Sequence, residues 1–128
     1  MKLLLDSHAF LWFIMGSANL SVNARTLIED TSHERFLSVA SLWEIAIKTS
    51  LGKLTLSAPF DKLIPAQLEL NGINLLNIHV DHLSTLATLP FHHRDPFDRL
   101  VIAQAIVEKL TVISHDGAFH PYGVTRRW

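Results

Sequence analysis

Apolar positions along this chain fall into two rhythms. Short unbroken runs alternate with longer stretches in which apolar and polar residues recur at helical spacing. The runs are "KLLLD" (2–6), "RFLSV" (35–39), "INLLNI" (73–78) and "TVIS" (111–114). Each is too short for a helix and apolar throughout, the mark of a strand buried on both faces. Between them lie predicted helices. "SHAFLWFIMG" (7–16) is apolar on nearly every side before Gly16 stops it, and "SVNARTLIEDTS" (21–32) starts at Ser21 as N-cap. "ASLWEIAIKTSLG" (40–52) closes at Gly52, and "FDKLIPAQLELNG" (60–72) is expected to be interrupted by Pro65. "DHLSTLATLP" (81–90) ends at Pro90, and a long helix runs from the segment "HHRDPFDRLVIAQA" (92–105) to about Leu110. The tail "GVTRRW" (123–128) is a candidate edge strand.

Strands alternating with helices predict an α/β protein: a three-layer α/β/α sandwich around a mostly parallel sheet of four or five strands. With 128 residues and no linker, repeat or low-complexity tract, the chain reads as one domain, 1–128. In such sheets ligands bind just beyond the carboxyl ends of the strands. That rule directs attention to Asp6, which ends the first run, and to Asp116, two residues past the fourth. Asp98, in the first turn of the long helix, and Glu44, in the helix after the second strand, complete an acidic set.

Four carboxylates gathered at one edge repel one another unless a hard cation neutralises them. All-oxygen ligation suits Mg²⁺ or Mn²⁺, whose bound waters can be activated for attack on a phosphate ester. Each acid also has a plainer explanation. Asp6 can cap the helix that begins at Ser7, and Asp116 before Gly117 can form a turn. Glu44 can pair with Lys48 at i,i+4, although Leu42, Trp43, Ile45, Ala46 and Ile47 leave little polar face around it. The two aspartates of "DPFD" divide differently. Asp95 before Pro96 is a structural cap, with the Asp-Pro step at Ncap and N1; Asp98 falls at N3, where the positive helix end favours its ionised form.

Composition narrows the choice. The chain has no cysteine, so disulfides, thiolate zinc sites and cysteine nucleophiles are excluded. A net charge of −1 leaves nucleic-acid contact to local cations, with Arg94, Arg99, Lys48 and Lys53 as candidates to grip a phosphate backbone. Eight histidines raise the question of zinc, with His79 and His82 at i,i+3 and His92 beside His93. Neither pair has an obvious third ligand, and HExxH is missing. No glycine-rich phosphate loop and no GxSxG elbow occurs. Asp6, Ser7 and His8 cut the N-terminal apolar stretch too short for a secretory signal, and no run approaches the ~20 residues of a membrane span. A cytoplasmic location is expected. The 48% apolar content and the all-round hydrophobicity of residues 9–15 predict that a second copy or a partner helix covers part of the surface.

Four ordered segments, "LLLDSHAFLW", "SVASLWEIAIK", "DPFDRLVIAQA" and "VISHDGAFHPYGV", resemble the PIN-domain family, and within it the VapC-type toxins of bacterial toxin–antitoxin pairs. The resemblance spans nearly the whole chain. It implies an acidic quartet of Asp6, Glu44, Asp98 and Asp116 as catalytic residues and ligands of Mg²⁺ or Mn²⁺. It also implies endoribonuclease activity that leaves 5′-phosphate and 3′-hydroxyl ends, a homodimer, and a cognate antitoxin. Ser7 stands where many relatives carry threonine and Ser114 where threonine or serine is usual, both mild departures, and with Arg99 they are the expected substrate-binding residues. Two other readings compete: a phosphatase-like phosphoryl transferase using Asp6, weakened by the lack of a second Asp in a DxD arrangement, and a non-catalytic protein-binding module.

Overall fold

A computed structural model describes residues 1–128. Its centre is a sheet of five strands, all parallel. They are β1 (Lys2–Leu5), β2 (Glu34–Ser38), β3 (Ile73–Leu76), β4 (Thr111–Ile113) and β5 (Arg126–Arg127), in the spatial order β3-β2-β1-β4-β5. The chain builds outwards from β1 through β2 to β3, then crosses back to add β4 and β5 on the other side. The order therefore reverses between β1 and β4, which opens a crevice at their carboxyl ends.

Six helices cover the sheet: α1 (Ser7–Met15), α2 (Val22–Glu29), α3 (Val39–Ser50), α4 (Phe60–Asn71), α5 (Val80–Ala87) and α6 (Pro96–Glu108). Side chains of β1 alternate across the sheet. Leu3 and Leu5 join a core with Phe10, Ala24, Ile28, Ile45 and Ile64, whereas Leu4 joins one with Val101, Ile102, Ala105 and Phe119 on the opposite face. The unbroken apolar runs are explained by these two cores. In α6, Arg99 to Ala105 are consecutively buried, so this helix has no solvent face at its middle.

Several boundaries differ from expectation. β2 stops at Ser38, which caps α3 by accepting the Ala40 N–H at 3.0 Å, so Val39 belongs to the helix. β3 ends at Leu76 and α5 at Ala87, three residues before Pro90. Pro65 does not interrupt α4. Pro65 and Asp61 are both exposed, so the Asp61 carbonyl that loses its N–H partner faces water. A six-residue 3₁₀ helix, Gly117–Tyr122, was not foreseen. The apolar surface of α1 is largely covered by the chain itself: Trp12, Phe13 and Ile14 pack on the core beside α1's buried residues, and Met15 alone of its large apolar side chains is exposed. No helix is long and apolar enough to cross a membrane.

Candidate active site

Beyond the crevice, Asp6, Glu44, Asp98 and Asp116 line one cavity of about 240 Å³ together with Ser7, His8, Lys48, His93 and Asp95, with no hydrophobic residue in its wall. Three of its aspartates are also helix caps. Asp6 Oδ1 accepts the Ala9 N–H at 2.7 Å and starts α1. Asp95 Oδ1 accepts the N–H groups of Phe97 (2.9 Å) and Asp98 (3.3 Å) and starts α6. Asp116 Oδ1 accepts the Ala118 N–H at 2.9 Å and starts the 3₁₀ helix. Capping and site-building are thus one arrangement: the caps bring the positive ends of α1 and α6 towards the acids and offset part of their repulsion.

Burial, and behind it the remaining repulsion, shows in the acids themselves. Burial pushes the Asp6 carboxyl above the usual range, with the Asp116 charge adding to it; the Ser114 hydroxyl, the Ala9 N–H and the His8 charge act the other way. Asp98 is raised to about 6, first by burial and then by the charge of Asp95, with Glu44 also contributing. Glu44 is better compensated. Ser7 Oγ donates to its Oε1 at 2.6 Å, and Lys48 Nζ lies 3.0 Å from its Oε2.

His93 is the member that sequence reasoning weighed only as half of a zinc pair. Its Nδ1 accepts the Arg94 N–H at 3.0 Å. With Nδ1 accepting, Nε2 carries a proton and donates to Asp98 Oδ2 at 2.8 Å. His93, Asp98 and Asp116 each bring a ligand atom within 4.8 Å of one another. Asp98 Oδ1 and Asp116 Oδ2 accept no hydrogen bond from the chain. Unpaired carboxylate oxygens converging in a polar cavity, with two acids driven towards protonation, fit a hard divalent cation.

Other expected residues are placed differently. Arg99 is not available to a substrate. It is buried, and its guanidinium donates to Leu89 O at 3.0 Å and Pro90 O at 2.8 Å while stacking 3.9 Å over the Phe91 ring. A helix buried on every face at that point forces the guanidinium inward, where loop carbonyls satisfy it. Ser114 is fully buried and accepts the Asp116 N–H at 3.0 Å, so it shapes the acidic edge rather than meeting a substrate. Ser7 lines the cavity but is bonded to Glu44. Lys48 pairs with Glu44, whereas Lys53 and Arg94 are exposed. The His79–His82 pair is not a ligand pair: His82 is buried, taking the His79 N–H on Nδ1 and meeting Glu108 through Nε2.

An all-parallel sheet with an acidic cavity at its switch point defines a class of α/β protein whose strand edge gathers carboxylates. Comparison gives that class a family. The PIN domain model matches residues 3–124, and the chain belongs to the PIN domain family. PIN domains are generally nucleases, and PIN nucleases generally use divalent metals. Among solved structures, VapBC2 from Rickettsia felis bound to a DNA fragment from its promoter is similar at 13% identity and a TM-score of 0.70, covering 99% of this chain and 98% of that one. VapBC-1 from nontypeable Haemophilus influenzae is similar at 15% identity and a TM-score of 0.66, with coverage of 99% and 97%. A toxin–antitoxin complex from Klebsiella pneumoniae is similar at 15% identity and a TM-score of 0.57, with coverage of 88% and 85%. At these identities the likeness concerns the fold. No curated protein matches the chain significantly.

Proposed function

We propose that this chain, as one domain over residues 1–128, is a Mg²⁺- or Mn²⁺-dependent endoribonuclease and the toxin of a toxin–antitoxin pair. The observation that carries the reading is the convergence of Asp6, Glu44, Asp98 and Asp116 on one wholly polar cavity at the carboxyl edge of β1 and β4. Family membership supports nuclease chemistry. An antitoxin partner rests on the fold shared with a toxin–antitoxin complex. A homodimer and a cytoplasmic site of action belong to the same reading; exposed Trp43, Val80 and Phe91 are the kind of surface a second copy covers.

Asp6, Asp98 and Asp116 would hold the cation, with His93 fixing the direction of Asp98. Glu44, steadied by Ser7 and Lys48, closes the cavity from α3. Lys53 and Arg94 lie free in solvent to attract the phosphate backbone. A bound cation would supply charge stabilisation at the phosphoryl oxygens and would lower the pKa of an attacking water.

Cleavage of single-stranded RNA by the purified protein tests the reading. Activity is expected with Mn²⁺ or Mg²⁺ and is expected to vanish on chelation while the circular dichroism spectrum persists. Asp6→Asn and Asp116→Asn are expected to fold and to lose about 100-fold or more of the rate. Full activity in both variants, or cleavage that survives the chelator, overturns it.

A further inference from the structure

A second cavity, of about 430 Å³, opens beside the first and shares Asp6, His8 and Asp116 with it; its other walls are Trp12, His115 and Gly117. Four rings run along this side of the molecule. His8 stacks on Trp12 with centroids 5.4 Å apart and planes at 29°. Trp12 meets Trp128 edge-on at 5.8 Å, and Trp128 meets His115 edge-on at 5.5 Å. The run links α1 to the loop after β4, the two segments that also carry Asp6 and Asp116. Packing accounts for the tryptophans, which are partly buried against the core, with the Trp128 carbonyl accepting from Asn23 Nδ2 at 3.0 Å. It does not account for the imidazoles. His8 and His115 are exposed at the rim, and neither ring nitrogen has a hydrogen-bond partner in the chain, unlike those of His82, His93 and His120.

We propose that this cavity is a nucleobase subsite, in which His8, Trp12 and His115 receive the base of the nucleotide next to the phosphodiester held at the acids. The inference rests on the nuclease reading and adds to it the form of the substrate. Aromatic faces bind bases whose own faces are free, which selects single strands over duplex. Stacking tolerates any base, while the free imidazole nitrogens can donate to or accept from a base edge and so favour one base over another. Because the cavity shares Asp6 and Asp116 with the acidic one, a base seated there sits beside the reacting phosphate.

The test uses single-stranded RNA oligomers with one abasic ribose placed beside the scissile bond. In the wild-type protein the missing base is expected to raise KM about tenfold, the scale of one stacked base, with kcat within about twofold. In the His8→Ala/His115→Ala double variant, KM for the intact oligomer is expected to be raised already, and removal of the base to add less than about twofold. Equal penalties in the two proteins, or none in the wild type, overturn the subsite while leaving nuclease activity standing. If no oligomer is cut, the nuclease reading has failed, and the subsite is judged by NMR. Adenosine 5′-monophosphate must then shift the indole N–H signals of Trp12 and Trp128, and ribose 5-phosphate must not. Absence of that difference overturns the subsite as well.

Discussion

In the Asp98 carboxyl, burial and the charges of Asp95 and Glu44 act against the His93 hydrogen bond, and the balance stands at about 6, above the ordinary 3.8. A raised folded-state value means that the folded protein holds this proton more tightly than the unfolded chain does. Ionising Asp98 therefore costs stability: the cost is absent below about pH 4, grows through the interval, and is complete above about pH 6. Allowing for solvent screening of a partly exposed group, it amounts to about 1–2 kcal/mol. Denaturant melts of the metal-free protein between pH 4 and 7 are expected to show stability falling with pH. Asp98→Asn should flatten that slope in part, because Asp6 is shifted in the same direction. An unchanged slope contradicts this account of the carboxyl. His93 gives a second prediction at this scale. Loss of an orienting hydrogen bond to a ligand typically weakens metal binding 10–100-fold, so His93→Ala should lower Mn²⁺ affinity by about that factor. His93→Gln, which keeps an N–H donor, should recover part of it. Calorimetric titration decides the matter, and equal affinity in His93→Ala and wild type contradicts the orienting role.

At the scale of elements, the start of α6 couples a cap, a clamp and a site. Arg99 holds the carbonyls of Leu89 and Pro90, Tyr122 Oη accepts the His93 N–H at 2.8 Å, and the loop between them presents His93 to Asp98. Arg99→Ala leaves the buried Leu89 carbonyl unpaired and frees that of exposed Pro90, and should cost roughly 2 kcal/mol. Asp95→Ala removes the cap, at about 1 kcal/mol, but also removes a negative neighbour of Asp98. Its cost should therefore be smaller at pH 8 than at pH 5, and melts at the two pH values measure it; a cost that rises with pH contradicts the coupling. The same region shows what was legible in the sequence. The Asp-Pro step is a local signal, and local signals place caps and strand ends well. Buried parallel strands announce themselves because both faces need apolar residues, which also ranked Asp6 and Asp116 for inspection. The His93–Asp98 bond was not legible, because a helix boundary falls between the two residues and no periodicity relates them. Arg99 was misjudged because charge alone suggested solvent. The signal against that was present: from Leu100 to Ala105 the helix has only Gln104 as a polar position, so Arg99, immediately before this run, had no exposed face to occupy.

For the whole molecule, the sheet order sets an electrostatic problem that a bound cation would relieve. Reversal between β1 and β4 brings Asp6 and Asp116 to one crevice, and α3 and α6 add Glu44 and Asp98 from the flanks. Such a centre spends folding free energy to hold acids together in the metal-free state and, on the proposed reading, would regain it on binding a cation. Mn²⁺ at 100 times its dissociation constant should therefore stabilise the fold by about 2.7 kcal/mol. The binding itself is tied to pH, since protons on Asp6 and Asp98 must leave before these carboxylates can ligate. At a fixed Mn²⁺ concentration the rise in melting temperature should thus be larger at pH 8 than at pH 5, opposite in sign to the metal-free trend. The Asp6→Asn/Asp98→Asn double variant should show little rise at either pH. Scanning calorimetry with and without Mn²⁺ reads all three quantities. An equal rise in the double variant would mean that the cation binds elsewhere on the molecule, and the cavity at the strand edge would lose its claim to be the metal centre.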